Sequence, residues 1–119
     1  MNNGFLFVAS GDHYISCALK AAESVKRLMP DCGLILYTDE AERSGLNIFD
    51  EINFIQYEKS RTYSIKVQNI PKSPFDKTIY LDCDTYLIKS IYEAFECLDY
   101  VDIAMPFSFY RYGKIMPSL

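Results

Sequence analysis

The chain has 119 residues, half of them apolar, which is enough for one domain with a buried core. Sixteen acidic against twelve basic residues leave a net charge of -4, with no basic run or stripe, so a nucleic-acid backbone would meet little positive charge and is excluded as an expected partner. The start, MNNGFLFVAS, has no cationic segment ahead of its short apolar run, and no later stretch approaches the roughly 18 apolar residues of a membrane span; a cytoplasmic location without a membrane span is expected.

In chain order, GFLFVAS at 4 to 10 is an apolar run bounded by glycine and by SGD, as a buried strand would be. From Asp12 the period changes. Ile15, Ala18, Leu19, Ala22, Val25 and Met29 fall at helical spacing, Asp12 can cap the start, and Lys26, Arg27 and Pro30 suit the end. LILYT at 34 to 38 is the second predicted strand. A short helix is expected after it, because Asp39 and Glu42 form a D-x-x-E capping arrangement and Gly45 can terminate the turn.

INFIQY at 52 to 57 is a third strand candidate, and Tyr63, Val67 and Ile70 supply one face of a helix stopped by Pro71. SPFDK is a turn and TIYLD at 78 to 82 a fourth strand. Ser90 and Glu93 predict a capping box for a helix carrying Ile91, Phe95 and Leu98, and YVDIAM at 100 to 105, closed by Pro106, predicts a fifth strand. The tail FSFYRYGKIMPSL is aromatic and without a clear period, suited to packing against something outside the chain. Strands alternating with helical segments imply an α/β layered domain with a largely parallel sheet, in a single unit.

Cys17, Cys32, Cys83 and Cys97 are scattered without a C-x-x-C pair, and His13 is the only histidine, a set unsuited to a structural zinc site. Without a secretory signal the four are expected to be buried or half-buried thiols. His13, beside the expected cap, is structural or solvent-facing.

The stretch IYLDCDTYLI at 79 to 88 sets two aspartates into an apolar run. In open α/β sheets, ligands gather outside the carboxyl ends of the strands, where the fourth strand would deliver Asp82. Side chains two apart in an extended segment point the same way, so Asp82 and Asp84 would face one ligand while Cys83 turns into the packing. Such a pair favours a hard divalent cation, Mn²⁺ or Mg²⁺, which takes one or two carboxylates plus substrate phosphates. A solvated acidic turn is the structural alternative.

KTIYLDCDTYLIKSIYEAF resembles the D-x-D region of glycosyltransferases of the GT-A fold, the nucleotide-diphospho-sugar transferases, and FLFVASGDHYISCALKAAESVKRLMP with LILYTDE resembles that family's first strand-loop-helix and second strand. The likeness spans about residues 4 to 105 and implies an α/β three-layer sandwich with a largely parallel sheet, the Rossmann-like nucleotide-binding half of the GT-A fold. It implies a metal-dependent transfer of a sugar from a nucleotide diphosphate donor to an acceptor, with Asp84 ligating the metal that bridges the diphosphate. Asp82 would contact the ribose or reach the ion directly or through water, so that the whole Asp82–Cys83–Asp84 triplet lines the donor site. By the same resemblance Ala9 and Ser10 lie along the nucleoside, Tyr14 near the base, Asp39 at base or ribose, and Lys66 toward the donor phosphates. Structural alternatives stand beside these: a helix cap for Asp39, simple packing for Tyr14 and a solvated lysine for Lys66.

In that family the acceptor pocket and any catalytic base come after D-x-D, and only 35 residues follow Asp84 in the 119. A complete enzyme is therefore expected to be longer, this chain being either a truncation or a separate nucleotide-binding half. A haloacid-dehalogenase-like phosphatase also ends a strand in D-x-D, but with its threonine two places on and its motif near the start of the chain. A dinucleotide-binding oxidoreductase would need a G-x-G-x-x-G that the sequence lacks. The alternative from another class is a non-catalytic module that binds a sugar nucleotide or self-associates through an open sheet edge and the aromatic tail.

Overall fold

The first apolar run becomes the centre of the sheet. A computed structural model, describing residues 2–109 and 115–117, places it in β1 (Asn3–Val8), between β2 (Gly33–Thr38) and β4 (Lys77–Tyr80). β3 (Glu51–Phe54) lies outside β2, giving the order β3-β2-β1-β4 with every pair parallel. β1 and β2 are buried along nearly their whole length, as parallel strands covered on both faces are, and this is why they read as continuous apolar runs.

Alternate residues of β1 serve different layers. Phe5, Phe7 and Ala9 join Leu34 and Leu36 of β2 against Ile15, Ala18, Ala22 and Val25 of α1 (Asp12–Leu28). Leu6 and Val8 join Ile35 and Tyr37 on the opposite face, with Ile65 of α2 (Thr62–Asn69). Two apolar clusters on the two faces of one sheet make the expected three-layer sandwich. The α1 face is the larger. Ile15, Val25 and Met29 are fully buried there, each contributing about 1.5–3 kcal/mol by leaving water. Phe95 of α3 (Tyr92–Glu96) stands edge-on to Phe5, ring centroids 5.4 Å apart.

At the amino end of the sheet, Gly4 and Gly33 are register partners across β1 and β2. The ring of Phe75 lies over both: a Cβ built on Gly4 would sit 2.2 Å from it, and one on Gly33 2.4 Å. The SPFDK turn thus carries a core plug. Beside it Asp50 closes the start of β2, donating its N–H to the Leu34 carbonyl at 2.8 Å while its Oδ2 accepts from the Leu34 N–H at 2.8 Å.

Several expected elements differ. No helix follows Asp39; residues 39–50 are turns held by Leu46 and Phe49 in the α1-side cluster, because the Asp39 carboxylate that would cap a helix accepts from the Gly11 N–H instead. Nor does a capping box form at α3. Ile91 occupies the N-cap and no side chain bonds there. The inward face of α2 is Ile65 and Asn69, one turn apart, whereas Val67 is exposed and the Tyr63 side chain lies outside those described. A short 3₁₀ turn, Ile70–Lys72, carries the chain across Pro71.

Residues 100–106 are irregular and exposed, not a fifth strand. An alternating pattern makes a strand only where a neighbouring backbone takes its hydrogen bonds, and none does here among the described residues. Part of the tail forms an antiparallel pair, β5 (Phe107–Phe109) with β6 (Ile115–Pro117); residues 110–114 and 118–119 lie outside the described residues. All four cysteines are free: Cys32 is buried, Cys17 and Cys83 half-buried. Cys97 is exposed, against expectation, because two residues past Phe95 it points away from the core. Among the described residues no helix is long and apolar enough to cross a membrane.

Candidate functional site

The chain runs from β1 outward through β2 and β3, then returns to the other side of β1 as β4. The strand order therefore reverses between β1 and β4, and their carboxyl ends flank the crevice where ligands of open α/β sheets bind. What stands there is set by two loops.

The first is the turn from β1 into α1. The Ala9 N–H donates to the Tyr37 carbonyl at 3.0 Å, extending the sheet contact one residue past β1. Gly11 then takes φ +82, a left-handed conformation that a side chain would strain. Its N–H donates to Asp39 Oδ1 at 3.3 Å, so the residue after β2 pins the loop after β1. Ala9 is buried, and Ser10 is half-buried at the rim. Asp12, expected as the cap, lies in the first turn, where its carboxylate meets Arg43 Nη2 at 3.0 Å; Gly11 holds the N-cap without a side-chain bond. Tyr14 projects outward, 55 % exposed, its ring edge-on to His13.

The second loop carries the aspartates. β4 stops at Tyr80, and although the Leu81 N–H still reaches the Leu6 carbonyl at 3.2 Å, residues 82–85 form a turn closed by the Thr85 N–H on the Asp82 carbonyl at 3.0 Å. Asp82 and Asp84 are thus first and third residues of a turn, not neighbours on one side of an extended strand as the spacing suggested. Asp82 Oδ1 accepts from Lys66 Nζ at 3.1 Å and from the Tyr80 hydroxyl at 2.8 Å. Asp84 is exposed, and Cys83 is half-buried against the α1-side cluster. Beyond the turn, the Leu87 N–H donates to the buried Ser24 Oγ of α1 at 3.0 Å, which fastens the segment to the helix.

Burial, followed by the hydrogen bond to Asp82, pushes the Tyr80 hydroxyl far above its ordinary ionisation range, so it remains a donor. Burial also raises the Cys83 thiol, with Cys17 as a second cause, which keeps it protonated and suits packing more than nucleophilic work. The Lys66–Asp82 pair is partly shielded, with side chains 28 % and 36 % exposed.

Of the sequence-predicted residues, the fold brings Lys66 onto Asp82 and Asp39 onto the Ala9–Ser10–Gly11 loop. Tyr80 escaped notice, although its place two residues before Asp82 was the available signal. Away from this turn, Asp39, Glu40, Ala41, Glu42, Arg43 and Phe54 line a shallow depression of about 570 Å³ at the carboxyl ends of β2 and β3. Among the described residues no group of three or more His, Cys, Asp or Glu side chains comes together to hold a metal ion, and the carboxylate oxygens at the turn are those of Asp82, with the Lys66 ammonium on it, and of the exposed Asp84. No family model matches the chain, and no curated protein matches it.

Proposed function

We propose that this chain provides the donor site of a metal-dependent glycosyltransferase, which moves a sugar from a nucleotide diphosphate to an acceptor. The observation that carries it is Asp82. It leaves β4 at the point where the strand order reverses, beside the β1–α1 loop, with Lys66 and Tyr80 on its carboxylate. In this proposal the backbone of Ala9 and Ser10 lies along the nucleoside and Asp39 fixes that loop while presenting its second oxygen to base or ribose. Asp82 and Asp84 hold Mn²⁺ or Mg²⁺, and Lys66 turns to the phosphates. When bound, the cation supplies Lewis-acid neutralisation of the charge gathering on the departing diphosphate. The chain's residues contribute position: contacts to the remote nucleotide fix the anomeric carbon, and their binding energy assists the step at the sugar.

Calorimetry with uridine, guanosine and adenosine diphosphates, with and without Mn²⁺, tests it. Binding that needs Mn²⁺ and is lost in Asp84→Ala is the expected result. Binding indifferent to the metal, or Mg²⁺-dependent hydrolysis of a generic phosphoester, would overturn it.

A second proposal, a self-associating module without catalysis, draws on the sheet edge. β4 pairs only with β1 among the described residues, and Ile88, Tyr100 and Ile103 are at least 78 % exposed. Sedimentation of the 119-residue chain over a concentration series checks it; a monomer throughout removes this alternative.

A further inference from the structure

We propose that Lys66 is a resident counter-cation at Asp82, holding the carboxylate until a divalent ion arrives together with a diphosphate, so that ion and nucleotide bind as a pair. The inference rests on the donor-site proposal, with Asp82 among the ion's ligands, and adds to it how the site controls its own loading.

Two donors converge on one oxygen of Asp82, the Lys66 ammonium at 3.1 Å and the Tyr80 hydroxyl at 2.8 Å. A divalent ion seated on that oxygen would stand beside a full positive charge, in a place shielded enough for the repulsion to be felt. The ion alone is therefore opposed. A diphosphate removes the opposition, since its oxygens can accept the ammonium and complete the ion's shell together. Lysine suits such an exchange, because its compact charge rides on a flexible stem. The helix need not move: Ile65 and Asn69 are each only 6 % exposed, so α2 is seated against the sheet on both sides of Lys66 while the side chain swings.

Because coupling between two ligands is reciprocal, the test reads the ion directly. Free Mn²⁺ is followed by electron paramagnetic resonance during titration of the wild-type chain, Lys66→Met and Lys66→Arg, first with Mn²⁺ alone and then with a nucleoside diphosphate present. Lys66→Met is expected to bind Mn²⁺ alone at least about tenfold more tightly than wild type, a gap that narrows when the diphosphate is added. Lys66→Arg, which keeps the charge, is expected to bind Mn²⁺ alone as weakly as wild type. Equal or weaker Mn²⁺ binding by Lys66→Met, with nucleotide binding still Mn²⁺-dependent in wild type, overturns the counter-cation role and leaves the donor site standing. If none of the three proteins takes Mn²⁺ in any mixture, both fall.

Discussion

The two ends of the parallel sheet are built on opposite terms. At the amino end, glycines face each other across β1 and β2 and an aromatic ring fills the slot they leave, so the contact is apolar and leaves no room for a Cβ. At the carboxyl end β1 leads to a left-handed glycine, β2 to an aspartate that holds the neighbouring loop, and β4 to a carboxylate bonded to a lysine and a tyrosine. One end stabilises through shape, where a lost methylene or an added one is costly. The other keeps polar groups at a rim where they can exchange partners. Stability and ligand chemistry should therefore separate along the strand axis.

The hardest blow to the amino end is Phe75→Ala, expected to cost about 3 kcal/mol, the low side for a phenylalanine truncation because the ring is only partly buried. Urea unfolding measures it, and the folded fraction should bind a nucleoside diphosphate as wild type does. A change in that affinity would break the separation of the two ends. Gly4→Ala comes next, at about 1–3 kcal/mol, since the new methyl would overlap the Phe75 ring. The same substitution on a Phe75→Ala background should cost far less, and a double-mutant cycle that shows simple additivity would refute the slot.

At the carboxyl end the effects are smaller and depend on charge. Tyr80 keeps its proton in the folded protein beyond the pH at which an unfolded tyrosine loses it, near 10.0. Its contribution is fully present below that pH and is lost as pH rises above it, at about 1.4 kcal/mol per pH unit from this group. Urea midpoints measured at rising alkaline pH should fall less steeply in Tyr80→Phe; parallel slopes would show that the hydroxyl is not held as described. Smallest is Lys66→Met, expected to change stability by less than about 1 kcal/mol because the pair is partly exposed. A loss well beyond that, in the same urea assay, would make Lys66 a structural residue and blur the contrast.

Much of the architecture was legible because burial leaves a period. The continuous runs around Phe5 to Val8 and Leu34 to Thr38 announced strands covered on both faces, and the spacing from Ile15 to Met29 announced α1. Local signals did worse wherever a side chain had a distant alternative. Asp39 has the sequence of a helix cap and bonds Gly11 across 28 positions; Phe75 sits in a turn motif and plugs a slot between two glycines far away in the chain. At the candidate site, the D-x-D spacing located the aspartates at the end of β4, yet the extended geometry inferred from it gave way to a turn.

What the residues determined unaided is the layered α/β class and the candidate strand end that bears Asp82, because solvent exclusion imprints itself on neighbouring positions along the chain. Which side of β1 receives β4, and hence the meeting of Lys66 with Asp82 and of Asp39 with Gly11, was decided only in three dimensions. Those contacts join positions 16 and 28 residues apart, and no periodicity records a partner chosen by how separate elements pack.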